Sequence, residues 1–213
     1  MPETLDQLLA EIDGCRICVE TFRRKPLPHE PRPVLRASSS ARIAICGQAP
    51  GTRVHASGMP FTDPSGDRLR EWMAVDTATF YDVSRIAIIP MGFCFPGLDS
   101  KAGDLPPRQE FAPAWRARVF EQLPAVRLVL VVGSYAIKWH LGRQAKANHT
   151  ETVRHWRDFA AVPIAPAGGA TIRAIPVPHP SWRNNAWIKR NPWFEDDLLP
   201  ELRAVIADEL KFA

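Results

Sequence analysis

Residues 44–51 read AICGQAPG, an apolar run through Ala44, Ile45 and Cys46 that stops on Gly47, Gln48, Ala49, Pro50 and Gly51. Extended back to Arg42, the run has the length and composition of a strand buried on both faces, as in a parallel sheet. The turn that ends it carries almost no side chain apart from one amide. Glycine lets a ligand approach the backbone closely, and proline fixes the turn. In open α/β folds, loops at the carboxyl ends of strands surround the ligand crevice. An ordinary strand-to-helix turn has the same composition, so the rest of the chain must decide.

Outward from this turn, further strands are predicted over residues 85–89, 127–132 (RLVLVV) and 171–177. Helical spacing of apolar residues predicts helices over 5–12, 67–75, 113–123, 133–141 and 192–210. Strands alternating with helices imply an α/β fold, a three-layer α/β/α sandwich around a central, mostly parallel four-stranded sheet. One domain, 1–213, is expected. Its first 36 residues (a helix, a CxxC pair and a proline-rich stretch over 25–36) pack on it, and Ala165 to Ala170 read as a loop.

Of 213 residues, 46% are hydrophobic and 23% charged, the balance of a globular chain with an ample core. No apolar run approaches the roughly 20 residues of a membrane span, which excludes a membrane partner of that kind. Residues 1–20 lack the basic-then-apolar form of a secretory signal, so a cytoplasmic protein is expected. The net charge of +4 leans toward polyanions. In a reducing compartment Cys15 and Cys18 read as half of a metal or cluster site. Cys46, inside the first strand, reads as a buried apolar residue.

Four loops leave the carboxyl ends of the predicted strands, over residues 47–61, 90–104, 133–134 and 179–181. The last follows its strand as IPVPHPSWRNN, with Pro178 and Pro180 restricting the backbone around His179. A histidine pinned in this way at a strand end points into the crevice.

GQAPG, the later GMPF (Gly58 to Phe61), the CxxC pair and the terminal HPS together resemble the uracil-DNA glycosylase superfamily, most nearly its family 4, the iron–sulfur branch. The resemblance runs from Cys15 to the C-terminal helix. It implies an enzyme of base excision repair, associated with the nucleoid through its substrate, that flips uracil or another deaminated base out of DNA and hydrolyses its N-glycosidic bond. On that pattern His179 donates to the pyrimidine oxygen. Gly47, Gln48, Ala49, Pro50, Gly51 and Ser181 line the pocket, and Phe61 stacks on the flipped base. Trp182, Arg183, Asn184 and Asn185 form the loop that enters DNA, and Lys189 and Arg190 continue its basic run.

The chain departs from the pattern in three ways. Gln48 stands where family 4 has Glu, and Ala49 where family 1 has Asp, so the first turn offers no carboxylate. His55, at a position usually acidic, is then a candidate to activate water. Pro90 replaces the Asn that reads the uracil edge. Cys15, Cys18 and Cys94 match three ligands of a [4Fe–4S] cluster, but Phe111 stands in the fourth place, and such clusters are held by four cysteines as a rule. The expectation is that Phe111 fills the ligand's volume and the cysteines are reduced thiols. A non-catalytic DNA-binding protein that retains the fold is the alternative. A nucleotide-binding α/β protein is disfavoured, because no longer phosphate-cradling glycine loop or Walker lysine is present.

Overall fold

The computed structural model describes residues 3–20, 26–101, 103–162 and 172–213. The predicted loop 165–170, the first residue of the proline-rich stretch (25) and the first of the last strand (171) therefore lie outside the described residues. Four strands, β1 (Ile43–Cys46), β2 (Ile86–Ile88), β3 (Leu128–Val132) and β4 (Arg173–Val177), form a sheet of order β2-β1-β3-β4. All three pairings are parallel, and all strand residues but Arg173 are buried. That explains their continuous apolar character, since neither face sees water. The register aligns Cys46 with Val131 and Val132 with Val177. The carboxyl ends of three neighbouring strands thus release Gly47, Gly133 and Pro178 along one edge.

Among the described residues, ten α-helices surround the sheet: α1 (Leu5–Asp13), α2 (Ile17–Glu20), α3 (Thr52–Ser57), α4 (Pro64–Met73), α5 (Thr77–Tyr81), α6 (Phe111–Glu121), α7 (Gly133–Leu141), α8 (His149–Arg154), α9 (Asn185–Arg190) and α10 (Leu199–Leu210). None of these described helices is long and apolar enough to cross a membrane. Helix α1 starts in a capping box in which Thr4 and Gln7 satisfy each other's backbone N–H groups. Helix α4 begins earlier than its periodicity predicts. Asp63 accepts from the Gly66 N–H at 3.1 Å, and Pro64 occupies the first turn, where a missing N–H is harmless.

The C-terminal helix opens on a π turn, Phe194–Leu198. Pro200 has no N–H to return to the carbonyl four residues back, and the Leu199 N–H reaches Phe194 O, one residue farther than in an α-helix.

The proline-rich stretch runs extended along β2. Arg36 exchanges two backbone bonds with Ile88 (2.9 and 2.7 Å), and the Val34 N–H donates to Phe93 O at 2.7 Å. Arg32 donates to His55 O (2.8 Å) and Ala56 O (2.7 Å), capping the carboxyl end of α3. Helix α1 is tied to α6 through Arg118, which donates to Glu3 and Glu11.

Candidate active site

A crevice of about 810 Å³ opens at the carboxyl edge of the sheet, within the range of small-ligand sites. The GQAPG turn forms one wall. It is locked to the next loop by Met91 N–H donating to Gly47 O (2.8 Å) and Gly92 N–H donating to Gln48 O (3.0 Å). The Gln48 side-chain amide donates to Leu105 O at 3.3 Å. A β-carbon on Gly47 would lie 3.5 Å from Phe61 Cζ and take space beside the ring. Absence of a side chain there leaves the ring open to a ligand.

Phe61 holds a left-handed backbone conformation (φ 56°), uncommon for a bulky residue and worth about 1–3 kcal/mol of strain. Tyr81 Oη donates to Pro60 O (2.9 Å) and Phe61 O (3.0 Å), and Phe80 meets the ring edge-on at 6.0 Å. Gly66 lets α4 come close, since a β-carbon there would sit 1.9 Å from Phe61 O. Phe61 is half-buried, packed on the core while lining the crevice.

His179 enters from the end of β4. The Ser181 backbone N–H donates to its Nδ1 at 3.3 Å, and Asn184 Nδ2 donates to its carbonyl oxygen at 2.6 Å. Gly133, at φ 80°, passes so near that a β-carbon would lie 3.6 Å from His179 Cβ. Burial lowers the His179 pKa below the usual imidazole value, opposed by Asp63 and assisted by Arg183. The ring is therefore neutral at pH 7. With Nδ1 occupied as an acceptor, the proton resides on Nε2, which becomes a donor.

Two carboxylates missed by sequence reading line the same crevice, Asp63 and Asp104. Burial raises the Asp104 pKa, with Arg183 acting against it and Asp63 with it. In the sequence Asp63 carries only the mark of a helix cap, and Asp104 that of a loop residue. Arg68, also missed, lines the crevice and donates to Ser181 O (3.2 Å) and Asn185 Oδ1 (2.8 Å), joining α4 to the HPS segment.

His55 is not brought into the crevice, which corrects its expected role in activating water. Arg53 and Val54 of α3 line the crevice, whereas the His55 ring lies tilted against His29 at 4.2 Å and Phe95 at 5.7 Å. Burial lowers its pKa, with His29 and Arg32 acting the same way. Gly47, Gln48, Ala49, Pro50, Gly51, Phe61, His179 and Ser181 do converge on the crevice.

Residues 182–185, expected as a loop, form a 3₁₀ turn (Trp182–Asn184) that runs into α9. Trp182 is 73% exposed at the mouth, with the Arg183 guanidinium over its ring at 6.0 Å. Lys189 and Arg190 are exposed on α9, outside the crevice lining.

Cys15, Cys18 and Cys94 are buried free thiols. Burial pushes Cys18 and Cys94 up to about 12, with Cys94 adding to the effect at Cys18 and a backbone bond at Arg32 opposing it at Cys94. Phe111, 1% exposed, opens α6 three residues after Arg108, whose guanidinium donates to Cys18 O at 3.4 Å. Its ring packs edge-on at 5.6 Å against Phe93, the chain neighbour of Cys94. Among the described residues no three ligating side chains are disposed to hold a metal ion. Three thiols and a buried phenyl ring do not fit the four-thiolate set of a [4Fe–4S] cluster.

The family model described as the uracil DNA glycosylase superfamily matches residues 35–203 of the chain.

Proposed function

Because the chain belongs to the uracil DNA glycosylase superfamily, we propose that it is a monofunctional DNA glycosylase that releases uracil or a related deaminated base from DNA. A base drawn from the helix stacks on Phe61 beside the bare backbone of Gly47. The C1′–N bond breaks and its electron pair leaves with the base. His179 donates from Nε2–H to the base oxygen on which that charge gathers, a bond that strengthens only toward the transition state. Water then bonds to C1′ of the positively charged sugar and gives up a proton, which the departing base takes. The products are a neutral base and an abasic site.

Asp63 is the residue we assign to orienting that water. It is a carboxylate in the crevice close enough to His179 to act on its titration. Trp182 is assigned to the gap left in the base stack, and Arg183, Lys189 and Arg190 to phosphates. One observation carries this reading. The Ser181 N–H engages His179 Nδ1, so a neutral ring has its single donor left for the base.

A second reading, a DNA-binding protein without chemistry, draws on Pro90, which has no side-chain donor or acceptor, and on the Gln48 amide turned to Leu105 O. Incubation with oligonucleotides carrying uracil, hypoxanthine or xanthine, followed by alkaline cleavage at abasic sites, separates the two. Strand cleavage at the modified position supports the glycosylase. Tight binding of all three with no abasic site supports the second reading.

A further inference from the structure

The most unusual group in the molecule lies behind the crevice. Arg116, on α6, is 2% exposed, and among the described residues no carboxylate pairs with it. Its Nη1 donates to Ile89 O (3.1 Å) and Pro90 O (2.8 Å), and its Nη2 reaches Cys46 Sγ at 3.1 Å and His140 Nε2 at 2.5 Å. Its Nε is buried without a partner among the described residues. A guanidinium does not lose its proton in proteins. Burying one without a counter-charge is expensive unless the charge is used.

Neither side-chain neighbour neutralises it. Burial pushes the Cys46 thiol up toward its neutral form, with the guanidinium acting against it. Burial, then the guanidinium itself, holds His140 well below the usual imidazole range, leaving it neutral. Among the described residues no carboxylate compensates the positive charge, and its position is specific. Cys46 immediately precedes Gly47 of the turn, and Pro90 lines the crevice. The guanidinium ties together the carboxyl ends of β1 and β2, one residue layer behind the surface a bound base would face.

We propose that Arg116 is an electrostatic positioning residue: it fixes the Ile89–Pro90 carbonyls beneath the crevice and keeps an unpaired positive charge behind the leaving base. The proposal rests on the glycosylase reading, because a base departing as an anion is what such a charge would favour. Fixed charge in a water-poor site acts strongly and needs no reorganisation during the reaction. It supplies from behind the backbone what Pro90 cannot supply with its side chain.

The test uses single-turnover excision of uracil and of 5-fluorouracil, the more acidic and better leaving base, by the parent, Arg116→Lys and Arg116→Gln proteins, each checked for folding by thermal melting. Arg116→Gln should lose about tenfold or more on uracil and markedly less on 5-fluorouracil, while Arg116→Lys, whose buried ammonium sheds its proton more readily than a guanidinium, should lose less relative to the parent as the pH is lowered. Equal losses on the two bases overturn the electrostatic role.

The parent provides a measurement that needs no variant to fold: its rates on the two bases should lie close together, and a steep preference for 5-fluorouracil counts against the proposal. A parent that releases neither base fails the glycosylase reading, and the role of Arg116 falls with it. An active parent with base-independent losses fails the role of Arg116 alone.

Discussion

The crevice and the cysteine segment depart from one family pattern in opposite ways. In the crevice the substituted positions are Gln48 and Pro90, yet Asp63, Asp104 and the buried charge of Arg116 stand around the same space. In the cysteine segment a single substitution, Phe111, leaves three thiols, and no other ligand is disposed to complete a metal site among the described residues. Loops converging from several strand ends offer many side chains to one point, so a missing function can be supplied by a neighbour. A [4Fe–4S] cluster needs ligands at fixed positions, four cysteines as a rule, and a phenyl ring cannot be one of them.

The comparison breaks most decisively at His179. His179→Ala should lower base excision by about a hundredfold or more, with DNA affinity nearly unchanged. Similar single-turnover rates in the two proteins would sink the donor role assigned to His179. Phe61→Ala tests the same wall and should weaken productive binding by roughly 1–3 kcal/mol. A lowered melting temperature with full activity per folded molecule would make Phe61 a core residue instead.

Iron content sharpens the other side. Protein purified without oxygen should be colourless and hold far less than one cluster per chain, while Phe111→Cys, with four thiols restored, should gain iron. A brown parent with about four irons per chain would show that the phenyl ring does not exclude the cluster.

A smaller effect is expected from neutralising Arg183, Lys189 and Arg190 together. The slope of log affinity against log salt should fall by about 0.9 for each duplex phosphate that is no longer neutralised. An unchanged slope assigns these residues to solvent.

The smallest effect concerns pH. The folded-state pKa of His179 lies below its ordinary value near 6.5, so the native state binds fewer protons than the unfolded chain just below that pH. The Ser181 N–H bond to Nδ1, which orients the ring, and the group's share of stability are complete above that value and are lost as pH falls through the lowered one. Excision should therefore show an acid limb below about pH 6.5 and none on the alkaline side from this group. Buried His140 drives the melting temperature the same way, and a melting temperature that rises on acidification would contradict both.

The sheet was legible in the sequence because strands buried on both faces leave unbroken apolar runs, and each predicted strand lies within a residue or so of the observed one. Helices α2, α3, α5, α8 and α9 were not legible. Each spans one or two turns, too short for apolar periodicity to register. The walls of the crevice were legible as glycine and proline around strand ends.

Its carboxylates were not, because Asp63 looks like any helix cap and meets the crevice only when α4 is joined to the segment after β4. Arg116 was hidden by a different effect. In sequence it belongs to an ordinary helix, and nothing local reveals that its side chain turns inward to meet the ends of two strands. His55 misled through position alone, since its place along the loop fits while the turn of α3 directs the ring to His29.

Arg32 makes the attachment of the N-terminal stretch independent of the cysteines. Its guanidinium fills the space beside Gly58, where a β-carbon would lie 2.6 Å from Nη2, and it holds the last carbonyls of the helix after the GQAPG turn. With the backbone bonds of Val34 and Arg36, this gives the segment a seam on β2 and α3 that contains no sulfur. A lineage carrying such a seam can lose a cluster ligand by one codon change without first repairing the join. The same seam makes Gly58 and Arg32 a matched pair, and an alanine at 58 would be felt in the crevice wall rather than at the terminus.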